Sequence, residues 1–356
     1  MLDDMELAPA LYRPTNHWLG SIDELIDDIV KDGVENFRSS VSALRAFVPC
    51  YGFPEYYSSE NRYTPLHNAL REVFPAETKI VKSQQTTNQR KYDIRLRNLL
   101  SGEQYALSDY RLFIGSQIDQ HPHTNRASES KVGNPLEQFK FDNRFFSRSF
   151  LNYLIGINYL KRVCSPQKMR TVLEIGGGYG TLGEILLSDR RNRCCYIDID
   201  IPPVSYFATY YLQELFGEKK IASYSQYRGA DQIAIEEIQN NFKGAVLCPW
   251  QLPYLVGEID LFVNYHSFAE MEPDVVENYC QVICNLKPRY VLLRNLREGK
   301  QILRSKGEYG VKKQVIGKDY DKFFSSYRNM GTNTIPFGFK TEDGFHSEVR
   351  LYEKID

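Results

Sequence analysis

From residue 170 onward the apolar residues come in short runs, separated by stretches with helical spacing. Runs near 170–175, 194–199, 244–248, 259–264 and 289–294 read as strands, and segments near 181–189, 203–216, 231–241 and 273–285 read as helices. Alternation of this kind predicts a parallel sheet between helices. Near the end, Phe345, Ser347, Val349 and Leu351 alternate with His346, Glu348, Arg350 and Tyr352. That period of two predicts an antiparallel strand with one solvated face.

The first third reads as helical. Ser21 and Glu24 form a capping-box pattern, Ile22, Leu25, Ile26, Ile29 and Val30 follow at helical spacing, and Gly33 closes the helix. Phe37, Val41, Leu44 and Phe47 continue the period in a second helix. Within 77–125, Lys79 to Lys82 and Lys91 to Leu96 fit either short strands or a broken helix. Between His121 and Pro135 the composition shifts to His, Pro, Thr, Asn, Ser and Gly, which marks a loop or hinge. A helix is expected to resume around Asn143, with Phe146, Phe150, Tyr153, Leu154, Ile157 and Leu160 on one face. The division expected is a mainly helical N-terminal domain over 1–125, shaping an acceptor pocket or an interaction surface, and a cofactor-binding domain over 126–356.

Composition narrows the partners. With 42% hydrophobic and 25% charged residues over 356 positions, a sizeable core is expected. A net charge of −1 leaves no basic excess to neutralise phosphates, so no nucleic-acid partner is expected. Arg190, Arg191 and Arg193 suit a helix C-terminus. The seven cysteines form no Cys-x-x-Cys pair and read as small buried residues of a reducing cytoplasm. The acidic start, Met1-Leu2-Asp3-Asp4, lacks a signal-peptide core, and no 18 apolar residues run together. The expectation is a soluble cytoplasmic protein without a membrane segment, and a homo-oligomer is compatible with it.

The chemistry concentrates in Thr171-Val172-Leu173-Glu174-Ile175-Gly176-Gly177-Gly178-Tyr179-Gly180-Thr181. An apolar run ends in a carboxylate, then in closely spaced glycines, and a helical pattern begins at once. Such a strand–loop–helix turn lets a ligand lie against bare backbone. Gly178-Tyr179-Gly180-Thr181-Leu182-Gly183 also satisfies the G-x-G-x-x-G dinucleotide pattern, with Asp200 beyond it. Glu174, however, sits where it would attract the cationic methionine end of S-adenosylmethionine (SAM) and repel a pyrophosphate. The glycines start at Gly176, directly off the strand, and the last strand is antiparallel. These features favour SAM over a nicotinamide, with Gly176, Gly178 and Gly180 forming the floor.

Asp198 and Asp200 end the second strand, and a carboxylate there can hold two ribose hydroxyls; Asp200 lies nearer the tip. Trp250, just past the third strand, is the candidate to cover the adenine. The fourth strand ends in Asn264-Tyr265-His266-Ser267-Phe268-Ala269-Glu270-Met271-Glu272. Methylating a hydroxyl needs a proton acceptor, and His266 suits it, with Glu270 as orienting carboxylate or as the base itself. Glu270, Glu272 and Asp274 suit a Mg²⁺ ion without diagnostic spacing, and His121 and His123 lack further ligands, so no metal is assigned.

With these residues the chain resembles the bacterial SAM-dependent sugar O-methyltransferases linked to surface-polysaccharide assembly. The likeness covers about residues 125–356. It rests on Glu129-Ser130-Lys131-Val132-Gly133-Asn134-Pro135 with the helix through Leu151 and Tyr153, on the Glu174 to Gly180 loop, on Asp200-Ile201-Pro202-Pro203 with the aromatic helix from Tyr206 to Phe216, and on Asn264 with Ser267-Phe268-Ala269-Glu270-Met271. It implies a class I methyltransferase fold, Rossmann-like, with a mostly parallel sheet and an antiparallel C-terminal strand. It implies SAM as cofactor, with Ser130, Gly133 and Asn134 folding over it and Asn264 beside it. The acceptor implied is a sugar or glycan hydroxyl, nucleotide-, lipid- or glycan-linked. Many relatives carry a small residue where this chain has His266, so His266 and Glu270 both stand as base. The rivals are an NAD-dependent nucleotide-sugar oxidoreductase and a catalytically inactive scaffold of the same fold.

Overall fold

A computed structural model describes residues 1–19, 21–40, 42, 46–47, 102–166, 169–303, 310–341 and 344–355. The expected strands at Lys79 to Lys82 and Lys91 to Leu96, and the helical positions Val41 and Leu44, lie outside the described residues.

Five expected strands form a parallel core: β3 (Thr171–Ile175), β4 (Cys195–Ile199), β6 (Gly244–Leu247), β7 (Leu261–Tyr265) and β8 (Tyr290–Leu296). The two-residue β5 (Ile221–Ala222) pairs parallel at one edge. At the other edge β10 (His346–Lys354) runs antiparallel between β8 and β9 (Tyr327–Asn333). Across the sheet the order is β9-β10-β8-β7-β3-β4-β6-β5. The chain starts the parallel sheet at β3 and departs from it in both directions, so a crevice opens at the carboxyl ends of β3 and β7. A mostly parallel sheet of this order, closed by an antiparallel hairpin-like edge, is the class I methyltransferase arrangement.

The strands read as unbroken apolar runs because both faces are covered. Val172, Val263, Leu292 and Val349 face α5 (Arg148–Cys164), α6 (Thr181–Ser188) and α7 (Val204–Phe216), together with Leu154, Leu182 and Leu212. Leu173, Phe262, Leu293 and Tyr352 face the other way, against Val276 and Ile283 of α9 (Pro273–Asn285). Among the described residues no helix is long and apolar enough to cross a membrane. The six described cysteines are all free.

Two expectations are corrected. The helix expected from Asn143 begins five residues later, because Asp142 and Asn143 both take positive φ (46° and 61°) and turn a short hairpin, β1 (Phe139–Phe141) with β2 (Arg144–Phe146). Two left-handed residues in succession match the right-handed twist of a two-residue hairpin. Ser147 then caps α5, its Oγ accepting the Phe150 N–H at 3.1 Å. The last strand has no solvated face: Ser347, Glu348 and Arg350 are buried. Arg350 donates to Glu348 at 2.6 Å and pairs with Asp321 at 3.3 Å, so the buried polar positions of the strand join an ion-pair network that reaches the surface at Asp321.

Gly156 sets the closest approach between α5 and the sheet. A Cβ there would stand 1.6 Å from the Tyr265 hydroxyl, whose ring stacks on Tyr153 at 4.6 Å. Gly156→Ala should therefore lower stability by about 1–3 kcal/mol despite the better helix former. Urea unfolding checks this.

Candidate active site

The crevice at the switch point holds two joined chambers. The larger, about 410 Å³, has walls from Tyr153, Gly176, Gly177, Tyr265, His266 and Phe339. The smaller, about 110 Å³, has Gly176, Asp200, Ile201, Pro249, His266 and Tyr279 in its walls. His266, Tyr265, Glu270, Gly176, Gly178 and Trp18 line both. The site residues that β3, β4 and β7 carry at their carboxyl ends thus meet where the sheet divides.

The glycine loop is a cradle. Gly176 takes φ 73°, and a Cβ on it would lie 2.1 Å from the Ser267 Oγ; one on Gly177 would lie 2.4 Å from Asp198 Oδ1. Gly176 and Gly178 line the chambers, with Gly177 between them as a wall of the larger. Gly180 does not line either chamber; it sits at the start of α6 with φ 90°, against Leu212.

Asp200 lines the smaller chamber and is 9% exposed. Its Oδ2 accepts the Gly178 N–H at 2.9 Å and its Oδ1 the Ile201 N–H at 2.8 Å. Each carboxylate oxygen has a further lone pair for a ligand hydroxyl. Glu174 is fully buried and lies behind the chamber wall, accepting from the Tyr153 hydroxyl at 2.8 Å and the Tyr196 hydroxyl at 2.6 Å. Asp198 stands beside it in the β3–β4 register, with neither oxygen hydrogen-bonded to a described residue. Desolvation pushes Glu174 up to about 8 and Asp200 up to about 7, and raises Asp198 well above the usual carboxylate range. Three buried carboxyls so close together favour a cationic occupant.

His266 occupies the junction in a conformation that β-carbons resist, φ 66° and ψ −33°. Its N–H donates to the Arg294 carbonyl at 2.6 Å. Its Nε2 is shielded from solvent without a hydrogen-bond partner among the described residues. Burial, then the nearby Arg294 guanidinium, hold the imidazole down at about 3, so it is neutral in the working range. Strain of this sort costs about 1–3 kcal/mol and concentrates at functional positions.

Glu270 is held differently. His17 Nε2 stands 3.3 Å from its Oε1, the Trp18 Nε1–H donates to its Oε2 at 3.1 Å, and Lys300 Nζ lies 3.5 Å from Oε1. Burial works to raise its pKa, but His17 and Lys300 outweigh it and keep Glu270 ionised, well below the usual carboxylate range. A carboxylate so stabilised is a poor proton acceptor.

Three further candidates do not face the chambers. Asn264 is buried, its Nδ2 donating to the Ile175 carbonyl at 2.9 Å and Ser267 Oγ at 2.6 Å, which ties β7 to β3. Ser130 backs α6, its N–H donating to Glu184 at 2.8 Å and its Oγ to the Tyr211 hydroxyl at 3.2 Å. In the same layer Arg38 pairs with the buried Glu129. Trp250 packs edge-on against Tyr224 at 5.7 Å, and Pro249, Ile201 and Tyr279 wall the smaller chamber instead. No group of three or more His, Cys, Asp or Glu among the described residues could hold a metal ion.

His17, Trp18 and Lys300 were not legible as site residues. Lys300 follows the carboxyl end of β8, where ligands gather in such sheets, and that position was the available signal. His17 and Trp18 carry no spacing signal.

No protein-family model and no curated protein sequence matches the chain. Among solved structures it is similar to the 1,6-didemethyltoxoflavin-N1-methyltransferase of Burkholderia thailandensis, at 14% identity over 58% of this chain and 79% of that one, TM-score 0.39. It is also similar to the magnesium protoporphyrin IX methyltransferase of Synechocystis PCC 6803 (12% identity, 58% and 85% covered, TM-score 0.38). The PH0226 protein of Pyrococcus horikoshii OT3 stands at 10% identity, with 59% and 92% covered and a TM-score of 0.39. The fold assignment rests on the strand order.

Proposed function

We propose that the chain is a SAM-dependent O-methyltransferase acting on a sugar hydroxyl. The observation that carries the reading is the meeting of the two chambers at His266, strained and with an unpartnered Nε2, beside the glycine loop and the Asp200 carboxylate. The residues fit the cofactor's parts. Gly176, Gly177 and Gly178 give the larger chamber a stretch of bare backbone, Asp200 offers acceptors to vicinal hydroxyls, and Asp200, with Glu174 and Asp198 behind the wall, suits a cation. A dinucleotide fits worse. Its pyrophosphate would face the Asp200 carboxylate, and the Gly178 N–H that would cradle it is already bonded to Asp200.

SAM bound there would supply a methyl group activated by its sulfonium. The protein's part is to orient the acceptor and remove one proton. His266 is neutral and no hydrogen bond fixes its Nε2; once the ring turns that shielded atom into the chamber, it takes the hydroxyl proton as the acceptor oxygen gains the methyl. A weak base suffices, because that proton becomes strongly acidic only as the new C–O bond forms. Glu270, ionised nearby, steadies the imidazolium that results; its electrostatic influence on His266 acts in that direction. The sugar reading draws on the large chamber's mixture of short polar groups, Ser21, Ser149, Asn152 and Thr341, with the Trp18 and Phe339 rings. Hydroxyl-rich ligands want both donors and flat apolar faces.

Equilibrium binding comes first. S-adenosylhomocysteine should bind in the micromolar range and NAD should not; the reverse would favour the oxidoreductase. Labelled SAM incubated with the host's own glycan intermediates should then mark a sugar hydroxyl. Cofactor binding without transfer to any glycan would favour the scaffold reading.

A further inference from the structure

Residues 13–18 lie over the joined chambers. Arg13, Pro14, Thr15 and Trp18 contribute to the smaller one, and His17 and Trp18 to the larger. Across from them lies the floor made by Gly176, Asp200 and Ser267. A ligand in the smaller chamber is therefore enclosed between the sheet edge and this N-terminal segment.

The segment is anchored on both sides. Before it, Tyr12 is buried edge-on against Tyr279 at 5.6 Å, and Asp4 pairs with Arg228 at 2.9 Å. After it, Leu25 of the helix Ser21–Asp32 is 1% exposed in the core. Between the anchors, three contacts converge on one residue. The Thr15 Oγ1 donates to the Glu270 carbonyl at 2.8 Å, the Trp18 Nε1–H to its Oε2 at 3.1 Å, and His17 Nε2 faces its Oε1 at 3.3 Å. Lys300 holds the same carboxylate from the sheet side at 3.5 Å. Convergence on a single residue makes the attachment cooperative: moving the Glu270 carboxylate loosens two of the three contacts together.

We propose that residues 13–18 are a roof that lifts to let ligands exchange, and that Glu270 is a positioning residue that latches it over the two chambers. The proposal rests on the cofactor reading above. In it, Glu270 acts through His17 and Trp18 and fixes the indole as a wall shared by both chambers. The two ligands then sense the same latch, so an occupied cofactor chamber favours the roof position that completes the acceptor chamber.

The chain has two tryptophans, and Trp250 lines neither chamber. Trp250→Phe therefore leaves Trp18 as the sole indole reporter. Stopped-flow mixing with S-adenosylhomocysteine should change Trp18 emission at the rate of binding. Glu270→Gln, which keeps an acceptor but removes the charge, should speed association and dissociation alike by about tenfold, equivalent to ~1.4 kcal/mol. Thr15→Val should speed both by less. A fold merely loosened would raise dissociation without speeding association. Rates equal to the parent in both variants, or a silent Trp18 while calorimetry shows binding, would overturn the latch alone. No binding of S-adenosylhomocysteine to any of the proteins would overturn the cofactor reading and the latch with it. Should Trp250→Phe not fold, 5-fluorotryptophan in the unaltered chain gives the same readout from the Trp18 resonance.

Discussion

His266→Ala is expected to lower kcat by about 10²- to 10⁴-fold, the range a positioned proton acceptor contributes, while S-adenosylhomocysteine affinity stays within about threefold of the parent. The separation of the two effects follows from geometry. Asp200, Gly176 and Gly178 build the smaller chamber's floor, and His266 touches it only at the junction. His266→Gly makes the same loss of turnover informative in another way. Glycine accepts φ 66° without strain, so this variant should be more stable than the parent by about 1 kcal/mol or more while being equally inactive. Gain of stability with loss of activity is the signature of strain kept for function. The rate should also lack a histidine limb between about pH 5.5 and 8, because burial and Arg294 keep His266 neutral throughout. Turnover of His266→Ala within a few-fold of the parent, with cofactor bound, would remove the proton-transfer role.

Glu270 is separated from His266 in this scheme by what already holds each group. Both are shifted down and both are weak bases. The imidazole's Nε2 has no hydrogen-bond partner among the described residues, whereas the carboxylate oxygens are taken by His17, Trp18 and Lys300. Choosing between the two residues therefore needed the identity of those donors, and all but Lys300 come from the first 18 residues.

That dependence marks the boundary of what one sequence discloses. The strands β3, β4, β6, β7 and β8 were legible because strands buried on both faces must be apolar throughout, which leaves an unmistakable run. Strand β9, Tyr-Arg-Asn-Met-Gly-Thr-Asn, was not, since an edge strand with exposed Arg328 and Asn329 carries no apolar run. The glycine loop, Asp200 and His266 were legible because backbone approach and strand ends constrain residue type. Ser130, Asn264 and Trp250 were placed by position in the chain, and position fixes a Cα better than a side-chain direction. Asn264 turns inward to join β7 to β3, and Trp250 turns to Tyr224. The roof was hidden for a different reason. Trp18 and Glu270 are 252 residues apart, and nothing local in either segment encodes the contact.

The second large effect expected is a pH dependence that the ligand reverses. Glu174 titrates near 8 and Asp200 near 7 in the folded protein, both raised chiefly by desolvation. In the unfolded chain both titrate near the ordinary carboxyl values, about 4. Between about pH 4 and pH 8 the native state thus holds more protons than the unfolded state, and stability must fall as pH rises through that window. Below it the penalty is absent, and above it the penalty on the free protein is complete. Glu174→Gln mimics the protonated side chain and can keep the Tyr153 and Tyr196 contacts. It should match the parent in urea unfolding at pH 5 and exceed it at pH 9, which is unusual for a change at a fully buried polar position. A cation placed beside these carboxyls favours their ionised forms, so cofactor binding should expel protons near pH 7 and tighten as pH rises from about 6 to 8. Calorimetry in buffers of different ionisation enthalpy reads that proton count directly. In Glu174→Gln the count should shrink and the affinity should weaken most at high pH, where the parent's carboxylate is charged. An affinity flat across this range, with no protons exchanged, would mean that the carboxyls at the ends of β3 and β4 do not sense the ligand's charge.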